Sequence, residues 1–325
     1  MKNFKLNEVD ALEVFVLMDN ISDAFTSSHE GMRWNESQYR HGVRKKETVC
    51  GADLCRACNG LSLFIKIHHN SKIYTLLFDA GPDEGLVVDN AKRMGLDLTT
   101  VDAIVISHGH FDHFGGTLSV LDAISKKDLP VYIHPELLFP RGFKTKDSII
   151  KDTNNLTIAK IEAHGGKVIE DKNPLKLFNG TLLISGEVPR HTAYETGFPN
   201  ECRLNQDKWE ASPEIIDERT IMLNLKNKGI CVFTGCGHTG VVNAIEHAKQ
   251  LLSSNKVHFV MGGFHLAGPT FVPRVNPTVT DLKKINPDYI ITGHCTGRVA
   301  QTELTNAFSD RHIPYAVGTV FKFIS

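Results

Sequence analysis

The sequence predicts a mixed α/β protein in which two packed β-sheets are covered by helices. Each half of the chain opens with a hairpin pattern of apolar and β-branched runs, and then continues with alternating strand and helix patterns. No linker is evident in the 325 residues. We therefore predict one domain over residues 1–325, with the polar, irregular segment 195–213 as a candidate lid.

The most distinctive predicted element of the first half is one buried strand. Residues 101–106 form a continuous apolar run, typical of such a strand, which ends directly at a cluster of histidines. Residues 22–48 are polar and predict loop with some helix. The predicted strands of this half are 13–18, 61–67, 73–78, 101–106 and 131–133, and the predicted helices are 85–94, ending at Gly95, and 117–126.

The second half has a similar order. Lys226 to Gly229 separates two apolar runs and predicts a hairpin turn. The predicted strands are 182–184, 221–225, 230–234, 257–261, 289–292 and 316–323, and the predicted helices are 241–252 and 302–308.

Composition excludes several classes of protein. Lys and Arg number 36 against 37 Asp and Glu, so nothing indicates a nucleic-acid or membrane surface. No apolar run approaches the roughly 20 residues of a membrane span, and the polar first ten positions lack the apolar core of a secretory signal. We therefore expect a cytoplasmic protein whose 7 cysteines are free thiols or metal ligands. The sequence does not indicate an oligomeric state.

Four apolar strands end next to histidines and glycines. The histidines are His108 with His110, His238, His265 and His294. Since strand ends along one edge of a sheet are where sites in α/β proteins are built, we expect these side chains to converge. Taken singly, each could equally be a structural histidine of the core.

The spacing His108-x-His110-x-Asp112-His113 is the strongest single signal. Two imidazoles two residues apart on an extended or turning segment point to one side, and Asp112 and His113 add a carboxylate and a further imidazole. Four ligands within six residues can serve two adjacent metal ions, whereas one tetrahedral zinc needs three or four ligands from the whole chain.

The stretch His108-Gly109-His110-Phe111-Asp112-His113-Phe114-Gly115-Gly116 resembles the signature of the metallo-β-lactamase superfamily. The segments around Cys236, His265 and His294 further resemble one branch of it, the branch labelled 7,8-dihydropterin-6-methyl-4-(β-D-ribofuranosyl)aminobenzene 5′-phosphate synthase. The resemblance spans nearly the whole chain from Val14 onward. It implies an αββα sandwich.

The resemblance also implies a ligand set. The first ion would take His108, His110 and a mid-chain histidine, for which we prefer His238 over His191. The second ion would take the other three positions, which are Asp112, His113 and His294.

The bridging aspartate expected after strand 230–234 is replaced by Cys236. Either Cys236 bridges as a thiolate, or no protein group bridges the ions. Asp79 matches an early strand-end aspartate of the superfamily and is expected to orient a ligand.

The expected chemistry is hydrolysis. One or two divalent ions, with zinc preferred and iron or manganese as alternatives, would lower the pKa of bound water to about 7, so that hydroxide attacks the substrate. Asp112 and His265 are the catalytic candidates, His265 being either a substrate contact or structural. Arg190, Arg298 and the backbone at two helix N-termini favour a small anionic, phosphorylated or pterin-like substrate. The alternatives are a di-iron redox enzyme and a non-catalytic binding protein.

Cys50, Cys55 and Cys58 form a separate pattern. Their spacing could supply three thiolates to a structural metal, but we favour plain thiols because the surrounding pattern is not that of a ferredoxin.

Overall fold

The chain is described from a computed structural model, which covers residues 3–27, 29, 31–48, 50–152 and 155–325. Its strands, in chain order, are β1 (Ala11–Met18), β2 (Arg33–Trp34), β3 (Ser62–His69), β4 (Lys72–Phe78), β5 (Ala103–Val105), β6 (Leu129–Ile133), β7 (Arg141–Lys144), β8 (Ile149–Lys151), β9 (Gly166–Glu170), β10 (Leu175–Leu177), β11 (Leu182–Ile184), β12 (Glu201–Asn205), β13 (Lys208–Ala211), β14 (Ile221–Leu225), β15 (Gly229–Thr234), β16 (Val257–Gly262), β17 (Tyr289–Thr292), β18 (His312–Pro314) and β19 (Val320–Ile324).

Helices connect and cover these strands. They are α1 (Glu36–Gln38), α2 (Leu86–Met94), α3 (Phe111–Phe114), α4 (Thr117–Ile124), α5 (Ile158–Ala163), α6 (Val241–Leu252), α7 (Val275–Ile285) and α8 (Arg298–Phe308), and a π-helical turn (Tyr39–Val43) follows α1. No helix in the described part of the chain is long and apolar enough to cross a membrane.

Two large sheets and one small sheet organise the strands. The first has the order β2-β19-β1-β3-β4-β5-β6-β9, the second β10-β11-β14-β15-β16-β17-β18, and the small third sheet β13-β12-β7-β8. Strands β4, β5, β6 and β9 run parallel, as do β15, β16, β17 and β18. Each large sheet therefore presents several carboxyl strand ends at one edge.

The core lies between the two large sheets and is continued by two outer layers. Buried Leu63 of the first sheet belongs to the same cluster as Phe233 and Met261 of the second. Helices α2 and α4 pack on the outer face of the first sheet, and α6, α7 and α8 on that of the second. This arrangement is an αββα sandwich, so the predicted fold class is confirmed.

The elements that the sequence missed are mostly short. Residues 195–213 are not irregular throughout, because β12 and β13 form a hairpin that joins β7 in the third sheet. The last predicted strand, 316–323, begins later than expected because Thr319 N donates to Ala316 O in a turn with Gly318 at φ 82°. Helix α8 begins earlier than expected, at Arg298. The single domain and the lid role of 195–213 stay predictions.

One buried histidine ties the edge of the second sheet to its covering helix. His312 of β18 accepts a hydrogen bond from Thr292 Oγ1 of β17 at 2.8 Å and donates to Thr305 Oγ1 of α8 at 2.9 Å. Burial lowers its pKa from the ordinary 6.5 to about 4. The neutral ring is therefore the form that the fold accommodates.

Acid should weaken the fold through this residue. Between pH 6.5 and 4 the unfolded chain binds a proton that the folded chain does not, so stability falls as the pH falls through this window, by roughly 3 kcal/mol in total. We expect the stability advantage of the wild type over His312→Gln to shrink by that amount between pH 7 and pH 4 in urea unfolding followed by circular dichroism. An advantage that stays constant over this range would contradict the assignment.

Candidate metal centre

The carboxyl ends of strands from both large sheets meet at one place. Asp79 follows β4, and the residues from Ser107 onward follow β5. From the second sheet, Cys236 and His238 follow β15, His265 follows β16 and His294 follows β17. The convergence predicted from the four strand ends is therefore present.

Three imidazoles form the first group, which we call the first triad. It consists of His108, His110 and His238, whose ligand atoms all lie within 4.8 Å of one another. His108 Nε2 is 2.9 Å from His110 Nδ1, and His238 Nε2 is 3.1 Å from the same atom.

The second triad consists of Asp112, His113 and His294. His113 Nε2 and His294 Nε2 are 3.2 Å apart. Asp112 Oδ2 is 3.6 Å from His294 Nε2 and Asp112 Oδ1 is 3.9 Å from His113 Nε2. Both triads are thus assembled from residues that lie more than a hundred positions apart in the chain.

Cys236 lies beside the second triad. Its Sγ is 3.2 Å from His113 Nε2 and 3.1 Å from His294 Nε2, and it also groups with His108 and His113 within 4.8 Å. Burial, followed by the neighbouring Cys295, raises the pKa of the Cys236 thiol. A nearby cation would oppose that shift, because the thiolate is the metal-binding form of cysteine.

Hydrogen bonds on the far side of each ring decide which nitrogen faces the centre. His113 Nδ1 donates to Asp79 Oδ2 at 2.6 Å, and His294 Nδ1 donates to Asn20 Oδ1 at 2.9 Å. His108 Nδ1 lies 2.9 Å from the hydroxyl of Ser107, which itself donates to Asp79. The Nε2 atoms of these rings therefore face the centre, where each can bind a metal ion in the neutral form of its ring.

His110 has the opposite orientation. Its Nε2 lies 3.3 Å from Glu201 Oε1, which leaves Nδ1 facing His108 and His238. Lone pairs that converge at about 3 Å repel one another unless a cation lies between them. Imidazole, carboxylate and thiol donors thus fit one or two divalent ions of the zinc or iron type.

Electrostatics shifts the pKa of His113 in the opposite direction to the pKa values of His108, His238 and His294. Burial lowers the pKa of His108 and His238 well below the ordinary value, and neighbouring imidazoles lower it further. Burial also opposes a charge on His113, but Asp79 and Asp112 outweigh it and raise the pKa of His113 to about 9. Metal binding at the second triad therefore has to displace a proton that the carboxylates hold there.

A cavity of about 810 Å³ opens beside both triads. Its apolar lining includes two half-exposed side chains, Phe111 at 50% and Ile150 at 61% exposure. Lys151 and Lys160 supply positive charge to the lining, and His265 and Cys295 face the same space.

Comparison with known proteins gives this site a family. A profile of the metallo-beta-lactamase superfamily matches residues 56–202, which include the whole His108–His113 motif. The 7,8-dihydropterin-6-methyl-4-(beta-D-ribofuranosyl)-aminobenzene-5'-phosphate synthase of Methanocaldococcus jannaschii is 29% identical over 270 residues, which cover 82% of this chain and 90% of that protein. Residues 56–202 of this chain, with the histidine motif of both triads, therefore match the metallo-β-lactamase superfamily.

Two further proteins are similar over different lengths. The crystal structure of Tm1679, described as a metal-dependent hydrolase of the β-lactamase superfamily, superposes with a TM-score of 0.66 at 18% identity and covers 97% of this chain and 100% of that one. The probable metallo-hydrolase YflN of Bacillus subtilis is 28% identical over 120 residues, 34% of this chain and 44% of that protein. The first likeness supports the superfamily fold, and the second supports the match in sequence.

Two predicted substrate contacts do not reach the site. Arg298 is exposed, Arg190 donates to the backbone of Glu214, and neither lines the cavity. The helix N-terminus near His238 was also predicted wrongly as an anion site. Buried Glu195 accepts from Val242 N and Asn243 N, so a carboxylate of the protein already occupies that position.

His191, the alternative third histidine, is exposed and belongs to none of the potential ligand groups found among the described residues. Its backbone N–H donates to Asn243. Cys50, Cys55 and Cys58 are also absent from those groups. The three thiols differ in exposure, from buried Cys55 to exposed Cys50.

Several residues of the site were missed by sequence reasoning. Asn59 donates to Asp112 Oδ2 at 3.2 Å, and Asp19 accepts from the backbone N–H of His294 at 2.6 Å. Asp19 and Asn20 close the first strand of the chain, so the strand-end pattern could have identified them. Glu201, which lies in the candidate lid, had no such signal.

Replacing either candidate third histidine should separate the two assignments. His238→Ala removes one of three nitrogens from the first triad, so we expect the loss of about one bound ion per chain. His191→Ala is the matched control and should keep the wild-type metal content. Elemental analysis after equilibration with zinc measures both. Normal metal content in His238→Ala together with loss in His191→Ala would reverse the assignment.

Proposed function

We propose that this protein is a metal-dependent hydrolase of that superfamily, or a closely related enzyme, that acts on a small anionic substrate. The observation that carries the proposal is the pair of triads facing one cavity. Named hydrolases among the similar proteins support the hydrolase type, and the synthase from Methanocaldococcus jannaschii keeps a related reaction open as a second candidate.

A divalent ion held by His108, His110 and His238, with a second at Asp112, His113 and His294, would lower the pKa of water to about 7 and act as a Lewis acid. The protein's own residues supply orientation. Asp79, Asn20 and Glu201 fix which ring nitrogen would face a bound ion.

Proton transfer has two candidates at the cavity wall. His265 lines the cavity and lies against His238 with ring centroids 4.1 Å apart, and its buried Nδ1 has no hydrogen-bond partner among the described residues. A ring at this wall can give a proton to a leaving group or hold a polar substrate atom. Asp112 faces the same cavity and can accept a proton with its Oδ1, while Asn59 holds its Oδ2.

The cavity lining supports a substrate that has a flat or apolar body and an anionic end. Phe111, Phe143 and Phe198 offer aromatic surface, and Lys151 and Lys160 offer positive charge. The name of the synthase from Methanocaldococcus jannaschii combines a pterin, an aminobenzene and a 5′-phosphate. We therefore propose a phosphorylated or pterin-like molecule as the substrate class.

A substrate screen tests this proposal. The zinc-, iron- and manganese-loaded proteins are each assayed with phosphoesters, lactones, thioesters, a β-lactam and phosphorylated pterins. We expect turnover of an anionic substrate that falls by at least about 100-fold in His110→Ala. Absence of turnover with every fully loaded form would favour a binding protein, and a visible spectrum that changes with oxygen or reductant would favour the di-iron alternative.

The two cavity lysines should affect substrate binding more than turnover. Replacing Lys151 and Lys160 together by Gln removes two exposed charges, so we expect KM for an anionic substrate to rise about fivefold with kcat little changed. The effect should shrink in about 1 M salt, because salt screens exposed charges. Lys146→Gln, on the turn between β7 and β8 and outside the lining, is the control. An unchanged KM in the double variant would remove the lysines from substrate binding.

A further inference from the structure

Three consecutive charged residues are buried just before β14. Asp217, Glu218 and Arg219 are exposed by 1%, 0% and 1%, respectively. Burying a charge is costly unless it is paired or hydrogen-bonded, so the partners of these side chains indicate what the burial maintains.

Asp217 holds the loop between two ligands of the first triad. Its Oδ2 accepts a hydrogen bond at 2.8 Å from the backbone N–H of Gly109, the residue between His108 and His110. Its Oδ1 lies 2.6 Å from the guanidinium of Arg141. The loop is tightly confined, because a Cβ at Gly109 would lie 2.1 Å from Leu137 O.

Glu218 holds the loop that carries the third ligand. Its Oε1 accepts from Gly237 N at 2.7 Å and its Oε2 from Thr239 N at 2.6 Å. These two residues flank His238 on either side. The carboxylate therefore holds the backbone on both sides of His238.

Arg219 joins the same segment to the first sheet. Its backbone N–H donates to Ser107 O at 3.0 Å. Its guanidinium donates to Ile106 O and Tyr132 O at 3.1 and 2.9 Å, where β5 and β6 end. The segment thus contacts the ends of strands in one sheet while belonging to the chain that enters the other.

We propose that Asp217 and Glu218 are positioning residues that set the separation of the two loops carrying the first triad. The inference rests on the proposed metal centre. The second triad has supports outside the clamp, since Asp19 Oδ1 accepts from His294 N and Asn20 Oδ1 accepts from His294 Nδ1. We call Asp217 and Glu218 the clamp. Removing a carboxylate from the clamp should therefore lower the affinity for the first ion and leave the affinity for the second ion unchanged.

The test is a cation titration of the metal-free full-length protein with Zn²⁺ and with Co²⁺. Glu218→Gln keeps the side-chain shape but turns an amide group towards one of the two backbone N–H groups. We expect this variant to bind the first ion about 10- to 100-fold more weakly and to bind the second ion with near wild-type affinity. His238→Ala and His294→Ala identify which step of the titration belongs to which triad.

Asp19→Asn is the matched control, because it disturbs a buried carboxylate that holds the backbone of a second-triad ligand. Asp19→Asn should lower the affinity for the second ion instead. Glu218→Asp keeps the charge and should recover part of the first-site affinity. The thermal unfolding midpoint of each metal-free variant reports general damage separately.

Two outcomes would overturn the inference. One is wild-type affinity for the first ion in both Glu218→Gln and Asp217→Asn. The other is an equal loss at both sites in these variants, which would assign the clamp a general role in folding. Failure of the wild type to bind any cation is a different result, because it removes the metal centre and with it the proposed function.

Discussion

The metal centre depends on several ring nitrogens that are held about 3 Å apart. His108 Nε2 and His238 Nε2 both lie against one atom, His110 Nδ1, so one hydrogen cannot satisfy both contacts, whereas a cation can bind all three nitrogens. Holding side chains in such an arrangement requires a rigid backbone. The two packed sheets supply that rigidity, and the meeting of their strand ends supplies the place.

The rings are held in place by residues from separate elements. Asp79 reaches His113 from β4, Asn20 reaches His294 from the end of β1, and Glu201 reaches His110 from the third sheet. Glu201 also lies 3.6 Å from Arg141, which pairs with Asp217. A connected series of buried charges thus runs from the third sheet through the clamp to the first triad. The third sheet, which borders the cavity, therefore helps to position the ligands of the metal centre.

The fold class and the ligands that lie close together in the sequence could be predicted from local sequence patterns. Contacts between residues that are distant in the sequence could not. The His108–His113 motif and the glycine-flanked strand ends could be predicted, because spacing along the chain fixes where those side chains lie. Glu218 could not, since its partner loop begins 19 residues away and nothing in a run of three charges says which of them will be buried. The anion site predicted near His238 was wrong for the same reason: the occupant of that helix end, Glu195, comes from a segment interpreted as irregular.

Cys236 bears on the choice of metal. Its sulfur lies 3.2 and 3.1 Å from the two imidazoles of the second triad, at the position where the family resemblance leads us to expect a bridging aspartate. Thiolate is a soft donor with metal bonds near 2.3 Å, against about 2.0–2.2 Å for carboxylate oxygen, so it favours zinc or iron over manganese or magnesium. Because the sulfur lies against the second triad, the bias acts mainly on the second ion. The first triad, built of three imidazoles, has no thiolate to strengthen its own preference for zinc or iron, and the two positions therefore need not select the same metal.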